Sequence, residues 1–323
     1  MTRPALLVLA TDKVSTDGLF PLLEDDRFEV RVAESGTSEF DSALTKASGL
    51  IVRSATIVDA GMMDRGQTLA AIGRAGVGVD NIDLQAATER GIAVFNAPGG
   101  NTIAATEMTM AMILATVRKV PAADSSLRDG SWDRASFQGV QLEGKTLGLL
   151  GAGRIGAEVA IRCKAFGMRV IAFDPYLPEE RADMIGVDLV SLEEVVTQGD
   201  VISLHVPLNE ETRGMVSQEV LDRMKPTTYV VNVSRGGVID EEALATALRE
   251  GSIAGAAIDV FETEPLPGDS PLLAVPNLVI TPHLGASTAE AQVSVAVEVA
   301  NALLVALADG DLTGALNAGQ LTS

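Results

Sequence analysis

The chain has 323 residues, enough for about two domains. Apolar residues make up 47% and charged residues 21%, so a full core can form, but aromatics are only 3% and packing must rest on aliphatic side chains. Against 24 Lys plus Arg stand 44 Asp plus Glu, a net charge of −20 that repels phosphate backbones and anionic lipid and argues against nucleic-acid or membrane binding. The cations are 18 Arg and 6 Lys, and Arg can hold a carboxylate or phosphate bidentately.

In chain order, Ala5–Ala10 is too short for a signal-peptide core and reads as a buried first strand leading into Thr11, Asp12 and Lys13. Further strands are expected at Glu29–Ala33, Gly49–Val52, Leu69–Arg74 and Ala93–Asn96, separated by helical-length segments. A long helix follows, capped by Asn101 and running to about Lys119. Its apolar part, Ile103–Val117, contains Glu107 and falls short of the roughly 20 residues of a membrane span, so it reads as a core or interface helix. A second set of strands is expected at Thr146–Leu150, Arg169–Phe173, Val201–Leu204, Tyr229–Val233, Gly255–Asp259 and Leu278–Thr281, then a helix from about Thr288 to Ala308. This alternation is the signature of two parallel α/β units. The single cysteine, Cys163, leaves no intramolecular disulfide and no cysteine metal cluster, and no metal site is expected. A reducing cytoplasm fits it best.

Gly151-Ala152-Gly153-Arg154-Ile155-Gly156 follows the strand Thr146–Leu150 and opens a helix. Glycines at those positions permit a tight turn, close approach of backbone to a pyrophosphate, and close packing of helix on strand, while the helix N-terminus offers N–H groups to phosphate. Asp174 ends the next strand 23 residues after Gly151, where an acid can bond both ribose hydroxyls and repel a 2′-phosphate. The pattern therefore favours NAD over NADP. Pro207, beyond the strand Val201–Leu204, fits a cofactor wall, and His205 reads as a structural or cofactor-wall residue rather than a catalytic one.

Three later strands end in Ser234-Arg235-Gly236-Gly237, in Phe261-Glu262-Thr263-Glu264-Pro265 and in Pro282-His283-Leu284-Gly285-Ala286. In an open parallel sheet such ends line the ligand crevice. Oxidising a hydroxyl needs a base near neutral pKa, which suits His283; a carboxylate beside it, Glu264, would orient the ring. Arg235 could clamp a substrate carboxylate and polarise the carbonyl.

Together with the glycine loop, the stretches Val52-Arg53-Ser54-Ala55-Thr56, Gly73-Arg74-Ala75-Gly76-Val77-Gly78-Val79-Asp80-Asn81, Ser234–Gly237, Gly255–Phe261 and His283–Thr288 resemble the D-isomer-specific 2-hydroxyacid dehydrogenases over roughly residues 50 to 290. The last stretch is closest to the members that act on 3-phosphoglycerate. The resemblance implies a Rossmann-type NAD domain over residues 100–286 and a smaller flavodoxin-like α/β substrate domain from 1–99 and 287–323, with a cleft between them. It implies that Arg235, Glu264 and His283 are catalytic and that Asp259 contacts the nicotinamide carboxamide. Gly151, Gly153, Arg154, Ile155, Gly156, Asp174, Val206, Pro207, Thr212, Ser234 and Gly285 would surround NAD. Arg53, Ser54, Arg74, Gly76, Val77 and Asn101 would lie near substrate, and Arg134 would reach into a neighbouring subunit's site. A homodimer built on the NAD domains is expected, with pairing into tetramers left open. The implied activity is NAD-dependent oxidation of 3-phospho-D-glycerate to 3-phosphohydroxypyruvate, the first step of serine synthesis. The same three residues also fit a glyoxylate or hydroxypyruvate reductase, and an NAD-sensing corepressor is a third reading. Because the sequence stops at Ser323, a form without a C-terminal regulatory extension is expected. Against the net charge of −20, the anionic substrate and cofactor need local cations, for which Arg53, Arg74, Arg134, Arg154 and Arg235 are the candidates.

Overall fold

In the computed structural model, which describes residues 4–11 and 14–321, the short apolar runs become two parallel sheets. The described residues up to Asn101 and those from Ala286 onward form one unit, and Thr102–Gly285 form the other.

The first unit holds β1 Leu6–Thr11, β2 Phe28–Ala33, β3 Gly49–Val52, β4 Ala71–Arg74 and β5 Ala93–Asn96, in the order β2-β1-β3-β4-β5. This is the flavodoxin-like order, with its switch point between β1 and β3. Every pairing is parallel, so both faces need cover. Leu7, Leu9, Leu50, Ile72 and Val94 meet Phe40, Leu44, Met62, Met63 and Ala87 from the connecting helices on one face. Three of those helices begin at side-chain caps, in which Thr37, Asp59 and Asp83 accept from the N–H groups of Phe40, Met62 and Ala86. On the opposite face Val8, Ala10, Ile51, Ala71 and Phe95 meet Leu19, Leu22 and Val295, Val299 and Leu303 of the C-terminal helix Ala289–Asp309. That helix is long and apolar enough to cross a membrane by length and composition, but here those side chains are its buried stripe on the sheet. Gly73 of β4 is its seat. A Cβ there would stand 2.2 Å from Val299 Cγ1 and 2.8 Å from Leu303 Cδ1.

The second unit holds β6 Thr146–Leu150, β7 Arg169–Phe173, β8 Asp188–Leu189, β9 Val201–Leu204, β10 Tyr229–Asn232, β11 Gly255–Ile258 and β12 Leu278–Ile280. Their order is β12-β11-β10-β9-β6-β7-β8, again wholly parallel. This is the doubly wound dinucleotide-binding order with one further strand, and it reverses between β6 and β9. The helix Thr102–Val117 covers one face through Met110, Met112, Ile113 and Val117, against Leu147, Leu149, Val231 and Ala257. The other face packs Ile202, Leu204, Val230 and Ile258 against Val195, Leu221, Leu244 and Leu248.

Several sequence expectations need correction. The strand expected over Leu69–Arg74 begins at Ala71, because Leu69 closes a turn on Gly66 (N–H to carbonyl, 2.9 Å). The two-residue edge strand β8 carries no apolar run and was not legible. β10, β11 and β12 each end one residue earlier than expected, before Val233, Asp259 and Thr281, where side-chain hydrogen bonds take over from the ladder. Asn101 does not cap the helix Thr102–Val117. It belongs to the turn before the helix, and its Oδ1 makes no hydrogen bond. Asp12 and Lys13 lie outside the described residues.

Replacing Gly73 by Ala should overpack the seat of the C-terminal helix and lower the unfolding free energy by about 1–3 kcal/mol, read from the urea midpoint of the first unit. An unchanged midpoint would contradict that packing.

Candidate active site

The glycine loop lies at the switch point of the second sheet, between β6 and β9. Its three glycines are required for three different reasons. Gly151 has φ +88° and sits against the His205 carbonyl, which a Cβ would approach to 2.6 Å. Gly156 lets the helix Arg154–Ala165 close onto Gly151, whose carbonyl oxygen would be 2.4 Å from a Cβ. Gly153 is exposed and has nothing within 4 Å of its would-be Cβ, so a pyrophosphate can reach the backbone there. As N-cap it brings no side chain to the first helical N–H groups. Those groups fit the phosphates of a dinucleotide. Arg154 is exposed beside them, and Ile155 is partly buried.

Asp174 follows β7 directly. Its Oδ2 accepts from the Ala152 N–H at 2.9 Å and its Oδ1 from the Tyr176 N–H at 3.0 Å, so the acid braces the glycine loop and remains partly exposed. After β9, Thr212 folds the next turn: its hydroxyl donates to the Pro207 carbonyl at 2.6 Å, and its N–H donates to Asn209 Oδ1 at 2.9 Å. This turn sets Val206 and Pro207 beyond the strand end, with Pro207 exposed.

The ends of β10, β11 and β12 bring the three expected reacting side chains together. Glu264 Oε2 lies 2.7 Å from His283 Nδ1, and Glu264 Oε1 accepts from the Phe261 N–H at 3.0 Å. Burial alone would raise the Glu264 carboxyl. The His283 ring, the Phe261 N–H and the nearby charges of His283 and Arg235 outweigh it and hold the group below the ordinary range. The Arg235 charge is therefore felt at Glu264, although the two stand on separate loops. The Arg235 guanidinium Nη1 donates to the Ser234 carbonyl at 2.7 Å.

Two organising residues were not recognised from sequence. Asn232, buried at the end of β10, accepts from the Ser234 N–H and hydroxyl at 2.9 and 2.8 Å and donates to the Arg235 carbonyl at 2.8 Å. A polar residue closing an otherwise apolar strand was the available signal. Asn81 in the first unit plays the same part, donating to the carbonyls of Arg53 at 2.9 Å and Thr56 at 2.6 Å. Asp259, which the resemblance sets at the nicotinamide carboxamide, is turned in this structure to the chain itself. It is fully buried, and its carboxyl oxygens accept from the Thr281 hydroxyl and from the N–H groups of Leu284 and Gly285, both at 2.8 Å. Its carbonyl takes the His283 N–H at 2.8 Å, which holds His283 at φ +55°. Asp259 thus faces the loop that carries His283 and Gly285.

In the first unit, Arg53 is half-buried just beyond β3 and Arg74 is half-buried as the last residue of β4, with Ser54 exposed next to Arg53. Gly76 has φ +151°, and the Arg74 guanidinium lies over it, 1.5 Å from where a Cβ would stand. Val77 follows it, and its carbonyl accepts from Asn96 Nδ2 at 2.6 Å. Asn101 is the last residue of this unit before the crossover. Arg134 is exposed in the second unit, in the irregular stretch after the helix Val120–Arg128.

His205 stands at the end of β9 with Nε2 2.9 Å from the Ser203 hydroxyl. Burial lowers its pKa from 6.5 to about 4. Between those values the unfolded chain binds a proton that the folded chain does not, so this contribution to stability is complete above pH 6.5 and is lost as pH falls toward 4. Stability curves of the wild type and His205→Gln should differ in slope over that window and run parallel above it. Identical slopes would show that His205 is not buried neutral.

Comparison with known proteins adds an independent line. The family model "D-isomer specific 2-hydroxyacid dehydrogenase, NAD binding domain" matches residues 110–285. D-3-phosphoglycerate dehydrogenase of Bacillus subtilis (strain 168) is 47% identical over 297 residues, 92% of this chain and 56% of that protein. The protein of that name from Methanocaldococcus jannaschii is 49% identical, over 88% of this chain and 54% of its own length. The chain thus spans a little over half the length of these curated relatives. Among solved structures, the TT0316 protein of Thermus thermophilus superposes with a TM-score of 0.85 at 38% identity, covering 96% of this chain and 100% of that one. A glyoxylate reductase from Paecilomyes thermophila superposes with a TM-score of 0.87 at 30% identity, covering 98% and 100%. The sheet order, the glycine loop and these matches agree, and the chain belongs to the D-isomer specific 2-hydroxyacid dehydrogenase family.

Proposed function

We propose that this protein oxidises 3-phospho-D-glycerate to 3-phosphohydroxypyruvate with NAD. The observation that carries the reaction type is the 2.7 Å contact between Glu264 and His283 at adjoining strand ends, with the Arg235 charge beside it. An ionised Glu264 can only accept, so Nδ1 of His283 carries the proton of that bond and Nε2 remains as the basic nitrogen. His283 Nε2 takes the hydroxyl proton of the substrate in oxidation and returns it in reduction. Glu264 stabilises the imidazolium formed in between. Arg235 holds the substrate carboxylate and polarises the developing carbonyl. When bound, NAD supplies the hydride acceptor at its nicotinamide. The residues that would hold it are Gly151, Gly153, Arg154, Ile155 and Gly156 at the pyrophosphate, Asp174 at the adenosine ribose, and Val206, Pro207, Thr212, Ser234 and Gly285 nearer the ring.

We assign the first unit to substrate, with Arg53, Arg74 and the backbone of Gly76 and Val77 receiving its anionic groups. Two guanidinium groups suit a phosphate together with a carboxylate, and the relatives named D-3-phosphoglycerate dehydrogenase support that choice. The likeness to a glyoxylate reductase supports a second reading, with an unphosphorylated keto acid as substrate. A homodimer completes the proposal. No residue of the helix Val120–Arg128 is buried, Val120 and Leu127 are 54% and 56% exposed, and Trp132 is 81% exposed beyond it. A second copy laid on this surface would cover them and bring Arg134 to the partner's substrate. The buried Cys163 thiol, pushed up to about 12, resists oxidation and suits a reducing cytoplasm.

His283→Ala should lower kcat about 10²–10⁴-fold while NADH binding, followed by fluorescence, changes little. A near-normal rate would remove the proposed base. Arg53→Ala or Arg134→Ala should weaken phosphohydroxypyruvate far more than hydroxypyruvate in kcat/KM; equal losses for both would favour the second reading.

A further inference from the structure

Arg235 and Glu264 stand on different loops, one after β10 and one after β11, yet their charges must act on one substrate. Two contacts join these loops. Gly236 lies so close to the next loop that a Cβ would stand 1.8 Å from the Phe261 carbonyl oxygen and 2.6 Å from the Glu262 nitrogen. Five residues on, Glu241 Oε1 accepts the Glu262 N–H at 2.7 Å. Glu262 lies between Phe261, whose N–H holds Glu264 Oε1, and Glu264 itself. The Glu241 carboxylate therefore grips the middle of the turn that aims Glu264 at His283.

Glu241 is not needed to cap its own helix, Glu241–Glu250. Asp240 already does this, accepting from the N–H groups of Glu242 and Ala243 at 3.1 and 3.0 Å. Its setting is also unfavourable. Burial, with Glu262, Asp240 and Glu264 nearby, pushes its carboxyl above the ordinary range, and the Glu262 N–H opposes that rise. A half-buried acid stands here among acids and makes one directed bond, to the Glu262 N–H.

We propose that Glu241 is a positioning residue for the reaction: by holding the Glu262 N–H it registers the Arg235 loop against the Glu264 loop and so fixes Glu264 on His283. The assignment rests on His283 and Glu264 acting as the base pair described above.

Glu241→Ala and Glu241→Gln separate this role from mere charge, because Gln keeps an acceptor oxygen and loses the charge. Two readouts are used. The chain has only two histidines, so the ring nitrogens of His283 can be followed by two-bond 1H–15N spectra beside those of His205. Steady-state reduction of phosphohydroxypyruvate and hydroxypyruvate by NADH gives kcat and KM. In Glu241→Ala, His283 should lose its single Nδ1-protonated tautomer and kcat should fall about tenfold with KM for NADH unchanged. Glu241→Gln should resemble the wild type in both. Wild-type ring shifts and wild-type kcat in Glu241→Ala would overturn the proposal, as would equal losses in Ala and Gln. If Glu241→Ala does not fold, Glu241→Asp, whose oxygen is drawn back by one methylene, is read in the same way. If the wild type itself turns over neither keto acid, the reading of function fails, and the tautomer comparison, which needs no turnover, still decides the role of Glu241.

Discussion

Among the described residues, Asp259 is the one charged side chain taken fully out of solvent. A carboxyl group in that position is tolerable only if donors replace water. They come from a single segment: the Thr281 hydroxyl and the N–H groups of Leu284 and Gly285. The demand of one buried group thus dictates the path of five residues. It sets His283 in the left-handed region, a conformation sparsely populated by residues other than glycine and retained where surrounding bonds over-determine it. Remove those bonds and the imidazole has no reason to stand where Glu264 meets it.

The same logic recurs at other strand ends of the second unit. Where a parallel ladder stops, backbone groups lose their partners, and a short polar side chain supplies them. Asn232 does so for the Ser234-Arg235 turn, Asp174 for the glycine loop, and the Thr212 hydroxyl for the Pro207 carbonyl after β9. Asn81 does so for the Arg53 turn in the first unit. Each of these turns is therefore held by a side chain of a neighbouring residue or segment. Such support keeps a reacting constellation in place without ligand. Glu241 extends the pattern by one step, since it holds one turn to another.

The acidity of the chain fits this arrangement. Among the described residues the acids lie mostly on the surface, where they pair locally or are solvated, as in Arg128 with Asp124 and Arg169 with Asp188. Exposed pairs of that kind contribute little to stability. Arg74 and Arg235 at the strand ends are different, because each guanidinium donates to a neighbouring carbonyl, of Ala75 and of Ser234. A fixed guanidinium can present a fork to an anion even when the average field of the protein is negative.

Much of this was legible in the order of residues. Parallel strands buried on both faces must be apolar throughout, so β3, β6, β7 and β9 appear in the sequence with their ends correct. The glycine loop and Asp174 are local, since strand, turn, helix and acid follow within one chain segment. That Glu264 and His283 would meet, with the Arg235 charge near them, could be read because strand ends in an open sheet share one edge. What the sequence could not contain was distance. That the C-terminal helix sits in the groove over Gly73, that Asp259 is consumed by the His283 loop, and that Asn232 and Glu241 brace their neighbours all depend on contacts between segments remote in the chain. Composition and periodicity report what each segment would bury. Only the packed structure decides which polar group is left to satisfy which, because that choice is made after the apolar faces have closed.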